Sequence, residues 1–168
     1  MYTKLSRTFQ VSPGCRITGT VVRVLSVSLS LLCLGNAQAQ SSGCNVTTQP
    51  LSFGSYNVDA LRALTTSSKL EIRCASRQTI TLGIDSGSFA PSGTPSRQMR
   101  HISSGDQLTY IVFQDPSMSS TWGDGLRSAG RTLTIRGTLS VFAYAMIPAG
   151  QDVSFGEYRD TLSIVVLP

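Results

Sequence analysis

Charge is scarce in this sequence. Lys, Arg, Asp and Glu make up 14% of the 168 residues, against roughly 25% in soluble domains. The shortage excludes a charge-rich disordered tail and a coiled coil. Histidine occurs once, at His101. A nucleophile-histidine pair therefore has a single candidate base, and a histidine-rich metal site has too few ligands. His101 stands in Arg100-His101-Ile102-Ser103-Ser104 beside a turn, the setting of a surface or loop imidazole. Glutamate occurs only at Glu71 and Glu157, which leaves little for paired-carboxylate glycosidase chemistry. Asp115, Asp124, Asp152 and Asp160 each adjoin a turn or strand end, where capping accounts for them. No phosphate-binding glycine loop of either common kind is present. The only tryptophan, Trp122 in Trp122-Gly123-Asp124-Gly125, reads as a loop aromatic closing one end of the fold, with a sugar-stacking platform as the alternative. Neither a catalytic site, a cofactor site nor a metal site is expected.

The sequence also lacks any apolar run long enough to cross a bilayer. The longest such stretch, Val24 to Leu34, has eleven residues, where a span needs roughly 20. It follows a basic segment with Lys4, Arg7, Arg16 and Arg23, and the first acid is Asp59. Ala37-Gln38-Ala39 supplies a small-x-small cleavage site, so residues 1–39 read as a cleaved secretory signal with Gln40 as the new N-terminus. A start near Val21 or Val22 would give that leader an ordinary length. No stable membrane anchor is expected. From Gln40 onward ten cations face nine acids, so the chain-wide excess of base belongs to the leader. No basic stripe remains to hold nucleic acid.

Cleavage also removes Cys15 and Cys33 and leaves Cys44 and Cys74. Two cysteines in one exported domain point to a disulfide. A metal site or a catalytic thiol would need partners that the composition does not offer. Closing a loop of about 30 residues contributes roughly 3.5–4 kcal/mol in the chain-entropy picture.

What is abundant is alternation of period two. Lys69 to Cys74 places Leu70, Ile72 and Cys74 on one face. Cys44–Phe53, Thr79–Ile84, Leu108–Phe113, Thr132–Arg136, Leu139–Ile147 and Tyr158–Leu167 also read as strands. Between them stand Ser86-Gly87, Pro91 to Pro95, Ser104-Gly105-Asp106, Gly123-Asp124-Gly125 and Pro148-Ala149-Gly150, which are turn chemistry. Only Val58–Leu64 has room for a turn of helix. Six or seven short strands with frequent turns indicate an all-β antiparallel sandwich in one domain, residues 40–168.

An ordered set of short motifs covers nearly all of residues 44–168. It runs from Cys44 through Leu51-Ser52-Phe53-Gly54-Ser55-Tyr56, Leu70-Glu71-Ile72-Arg73-Cys74 and Ile84-Asp85-Ser86-Gly87. Arg97-Gln98-Met99, Leu108-Thr109-Tyr110, Phe113-Gln114-Asp115 and Trp122-Gly123-Asp124-Gly125 follow. Ile147-Pro148-Ala149-Gly150-Gln151 and Gly156 to Leu162 close the series. In this the chain resembles the spore coat protein U domain family of archaic, Csu-type chaperone–usher pilus subunits.

The resemblance implies an incomplete immunoglobulin-like sandwich that lacks its final strand. It implies a groove that a partner's strand fills by β-augmentation. It also implies a periplasmic chaperone, an outer-membrane usher and other pilus subunits as partners. Assembly would run through the periplasm to a fimbrium at the cell surface, with no bond chemistry. Leu51, Phe53, Leu162, Ile164 and Val166 are the expected groove lining. After cleavage at Ala39 only Gln40 to Gly43 precede Cys44, too little to donate a strand, so a tip or minor subunit is expected rather than a shaft subunit. A coat or surface-layer protein of the same fold, and a small secreted carbohydrate-binding module, are the alternatives.

Overall fold

The computed structural model describes residues 2–5, 8–11, 44–74, 77, 79–91, 93–125 and 129–167. Twelve strands make up its regular structure: β1 Tyr2–Leu5, β2 Thr8–Val11, β3 Cys44–Thr48, β4 Gly54–Asn57, β5 Leu64–Cys74 and β6 Thr79–Ile84, followed by β7 Ser96–His101, β8 Gln107–Phe113, β9 Leu133–Arg136, β10 Leu139–Ile147, β11 Tyr158–Arg159 and β12 Thr161–Leu167. They form two sheets, one in the order β3-β5-β10-β8-β7-β11-β1-β4 and one in the order β2-β12-β6-β9. Every pairing is antiparallel except β1 with β11 and β2 with β12.

Alternation explains why these segments close on one core. In β5 the residues Ser68, Leu70 and Ile72 are buried while their neighbours Glu71 and Arg73 lie toward solvent. Ala143, Ala145 and Ile147 of β10 repeat that device, as do Ile80, Leu82 and Ile84 of β6. The two inner faces meet in one cluster that also takes in Leu51, Phe53, Tyr110, Trp122 and Tyr158. Each buried Leu, Ile or Phe side chain among them contributes about 1.5–3 kcal/mol by leaving water.

Four expectations change. The segment Val58–Leu64 holds no helix. Asn57 turns the chain instead, its carbonyl accepting from Ala60 N (3.2 Å) and its side-chain oxygen from Asp59 N (3.1 Å). The short polar side chain of Asn57 supplies the turn, and β5 then starts at Leu64. The expected first strand, Cys44–Phe53, ends at Thr48, and Leu51 and Phe53 enter the core from irregular backbone. A strand absent from the expectation, β7, lies inside the large sheet. Trp122 offers no platform to a sugar. It is fully buried, and its indole N–H donates to Leu82 O at 3.3 Å. Its neighbour Asp124 is pressed so close to β6 that a Cβ on Gly83 would stand 2.7 Å from Asp124 Cα. Only glycine fits there.

The predicted apolar stretch Val24–Leu34, the cleavage site at Ala39 and Gln40 to Gly43 lie outside the described residues. No helix among the described residues is long and apolar enough to cross a membrane.

Candidate strand-accepting edge

The last predicted strand is two strands. Tyr158–Arg159 pairs with β7 in the large sheet, and Thr161–Leu167 pairs with β6 in the small one. Between them stands Asp160, 4% exposed. Its carboxylate accepts from Tyr110 Oη (3.0 Å), Ser88 N (2.8 Å) and its own neighbour Thr161 N (2.6 Å). These donors compensate a buried charge. They also fix the point where the chain leaves one sheet for the other.

The outer flank of this divided strand is closed by the N-terminal strands. Leu5 of β1 stands opposite Tyr158, in parallel. On its other side β1 pairs antiparallel with β4, from Tyr2 opposite Asn57 to Leu5 opposite Gly54. β2 runs parallel to β12, with Thr8, Phe9, Gln10 and Val11 opposite Thr161, Leu162, Ser163 and Ile164. Among the described residues β1 is the only sheet neighbour of β4, and β2 is the only neighbour of β12 on the side away from β6. Both lie within residues 1–39, the segment expected to be cleaved. A chain beginning at Gln40 would leave β4 and β12 each with a row of unpaired backbone donors and acceptors, and β11 without its neighbour at Tyr158.

The five residues expected to line a groove meet in the core beside this flank. Leu162 and Ile164 project inward from β12 and are buried, and Val166 follows on the same face, half-buried. Leu51 and Phe53 are buried just ahead of β4. The ring of Phe53 stands edge-on to Tyr110 at 5.9 Å. β12 continues beyond β2, so the outer edge of Val165 to Leu167 has no partner strand among the described residues.

Cys44 and Cys74 face each other across β3 and β5 and are bonded, S–S 2.06 Å. His101 ends β7. Its Nδ1 accepts from Ser103 N (3.0 Å) and Ser104 N (2.8 Å), its Nε2 faces Phe155 O at 3.2 Å, and its ring stands edge-on to Tyr158 at 5.0 Å. That is a turn organiser with both nitrogens engaged by backbone.

Asp115 collects Ser117 Oγ and the amides of Ser119 (3.0 Å) and Ser120 (2.7 Å). These donors, the Ser117 hydroxyl foremost, hold its carboxyl well below the usual carboxylate range. Asp106 is lowered by hydrogen bonds from Ser154 and then Ser104. Burial pushes the Tyr158 hydroxyl up. No group of three or more His, Cys, Asp or Glu able to hold a metal occurs among the described residues.

Sequence reasoning missed two buried polar anchors, Arg97 and Asp160. Both carried a signal. Asp160 shares the parity of Tyr158, Leu162 and Ile164, and Arg97 shares that of Met99, so each stands at an inward position of its strand.

Fold and site together define an all-β, two-sheet domain whose final strand serves both sheets. The chain belongs to the Spore Coat Protein U domain family, whose profile matches residues 30–165. A similar curated protein, Protein U of Myxococcus xanthus, is 27% identical over 138 residues, 77% of this chain and 76% of the relative. A similar solved structure is that of the CsuC–CsuE chaperone–tip adhesion subunit pre-assembly complex from the archaic chaperone–usher Csu pili of Acinetobacter baumannii. The TM-score is 0.49 at 17% identity, over 74% of this chain and 39% of that one. This chain thus spans well under half the length of the chain it matches there.

Proposed function

We propose that this protein is a structural, non-enzymatic subunit of a surface fibre built by the chaperone–usher route. In this reading it accepts a β-strand from a partner along β12 and between β11 and β4. The observation that carries it is the dependence of those three strands on residues 2–11 for their outer neighbours. Once the leader is gone, the bare edges select a strand of another chain, and the apolar residues beside them reward alternate apolar side chains. Burying four or five such side chains gives on the order of 10 kcal/mol before ordering costs. That matches the whole stability of a small domain.

The partners are then a periplasmic chaperone, an outer-membrane usher and neighbouring subunits. The protein passes through the periplasm to the cell surface. Gln40 to Gly43, four residues between the predicted cleavage and Cys44, are too short to fill a comparable groove. The subunit therefore accepts a strand without giving one, which fits a tip or minor position.

The test is expression of the chain from Gln40 with and without its cognate chaperone. Folded monomer is expected only with the chaperone, or with a donor strand supplied as a peptide. Equal yields of stable monomer without either would refute the reading. They would favour instead a self-sufficient coat protein, the role named in the family's own description.

A further inference from the structure

The geometry points to a second site, independent of strand acceptance: a receptor pocket for the carboxylate of an acidic sugar. A hollow of about 380 Å³ lies where β7 and β11 meet the loop after β6, lined in part by Ser88, Phe89, Arg100, Ile102, Ser103 and Arg159. Arg100 and Arg159 are directly opposed across the β7–β11 pairing, and both are exposed on the outer face. Like charges opposed in this way destabilise a sheet. The fold gains nothing from such a pair in its core packing.

The two guanidinium groups are not equivalent. Arg159 is answered by Glu157, with Nε at 2.9 Å and Nη2 at 2.8 Å from Oε1. Arg100 has no hydrogen-bond or ion-pair partner among the described residues. Its guanidinium carbon stands 5.8 Å from the centroid of Phe89. An arginine seated on an aromatic face keeps its planar fork free for a bidentate carboxylate. Asp160 also borders the hollow, but its charge is met by Tyr110, Ser88 N and Thr161 N.

The remaining walls choose the ligand class. Ile102 is 59% exposed and can cover the apolar face of a ring. The side chains of Ser88, Ser103 and Thr161 bring hydroxyls that can both donate and accept. Free guanidinium, apolar patch and hydroxyls together fit a uronic acid residue. An inorganic anion would leave Ile102 unused. One such contact in an open hollow is weak, so useful binding needs repeats of the acid along a polysaccharide and of the protein along a surface.

The experiment passes the soluble, chaperone-bound protein over immobilised polygalacturonate, a neutral galactan and heparin. Binding to polygalacturonate and not to galactan is expected, with R100A at least about tenfold weaker and R100K intermediate. R73A serves as the control, since Arg73 is 75% exposed on a distant strand, and it should bind as the parent does. The site is refuted by an absence of polygalacturonate binding, by equal weakening in R73A and R100A, or by heparin binding that exceeds polygalacturonate and ignores R100A. A failure to accept a strand reads out separately, as the absence of a soluble chaperone complex, and the same ligands are then tested with the uncomplexed chain, since Arg100 is exposed on the outer face.

Discussion

Arg97 carries a positive charge into a site where 1% of its surface is exposed. Its Nε donates to Asp85 O at 2.7 Å, and its Nη2 donates to Ile84 O at 3.0 Å and Trp122 O at 2.6 Å. These carbonyls come from the end of β6 and the loop around Trp122, so one side chain ties the small sheet to the large one. Replacing it by methionine keeps the bulk and strands the carbonyls. R97M is expected to lower the stability of the strand-complemented protein by about 3 kcal/mol or more, read as a fall in the urea midpoint. A loss below about 1 kcal/mol would mean those carbonyls find other donors. Asp115 acts more locally. Its carboxyl is held below the usual value, so the order it gives the Ser117–Ser120 loop is complete at neutral pH. That order drains away as acid takes the pH below about 4. Protection of the Ser119 and Ser120 amides should fall in that window and be low at every pH in D115N. Protection that ignores both acid and the substitution would show that the loop holds itself.

At the scale of the strand, β12 is the element on which acceptance turns. Ile164→Asp places a charge between the sheets beside the open edge. Chaperone capture of the Gln40 chain is expected to disappear, measured by co-purification, while Ser163→Thr on the opposite face of the strand is tolerated. Capture that survives Ile164→Asp would move the accepting edge elsewhere.

The strands most legible in the sequence were those whose alternation is apolar against polar: β5, β6, β8, β10 and β12. Their periodicity alone places Leu162, Ile164 and Val166 on one face. β7 was hidden because it reads Ser-Arg-Gln-Met-Arg-His. Its inward positions include an arginine whose guanidinium donates to backbone carbonyls of other elements, and no single-strand pattern contains those carbonyls. The division of the last strand was hidden for a related reason. Asp160 looked like an end-of-strand cap, and its caps come from Ser88 and Tyr110, far away in sequence. β1 and β2 lie in a segment whose basic residues read as a leader, and the alternation of Phe9 and Val11 in β2 is too short to stand out from it.

For the whole molecule, the disulfide joins residues 30 apart. Replacing both cysteines by serine should cost roughly 3.5–4 kcal/mol, visible as a lower melting temperature of the complemented protein. A shift near zero would mean that the β3–β5 pairing persists in the unfolded chain. The bond's location matters as much as its free energy. Cys44 is the first residue of β3, and Cys74 is the last of β5. β5 in turn lies against β10 over nine paired positions. A tug applied to the polypeptide ahead of Cys44 therefore cannot peel β3 away one rung at a time, as it would in an unbonded edge strand. The load jumps across the sulfur link into the longest ladder of the sheet, whose rungs must then yield together. The domain is braced against traction applied at the start of β3.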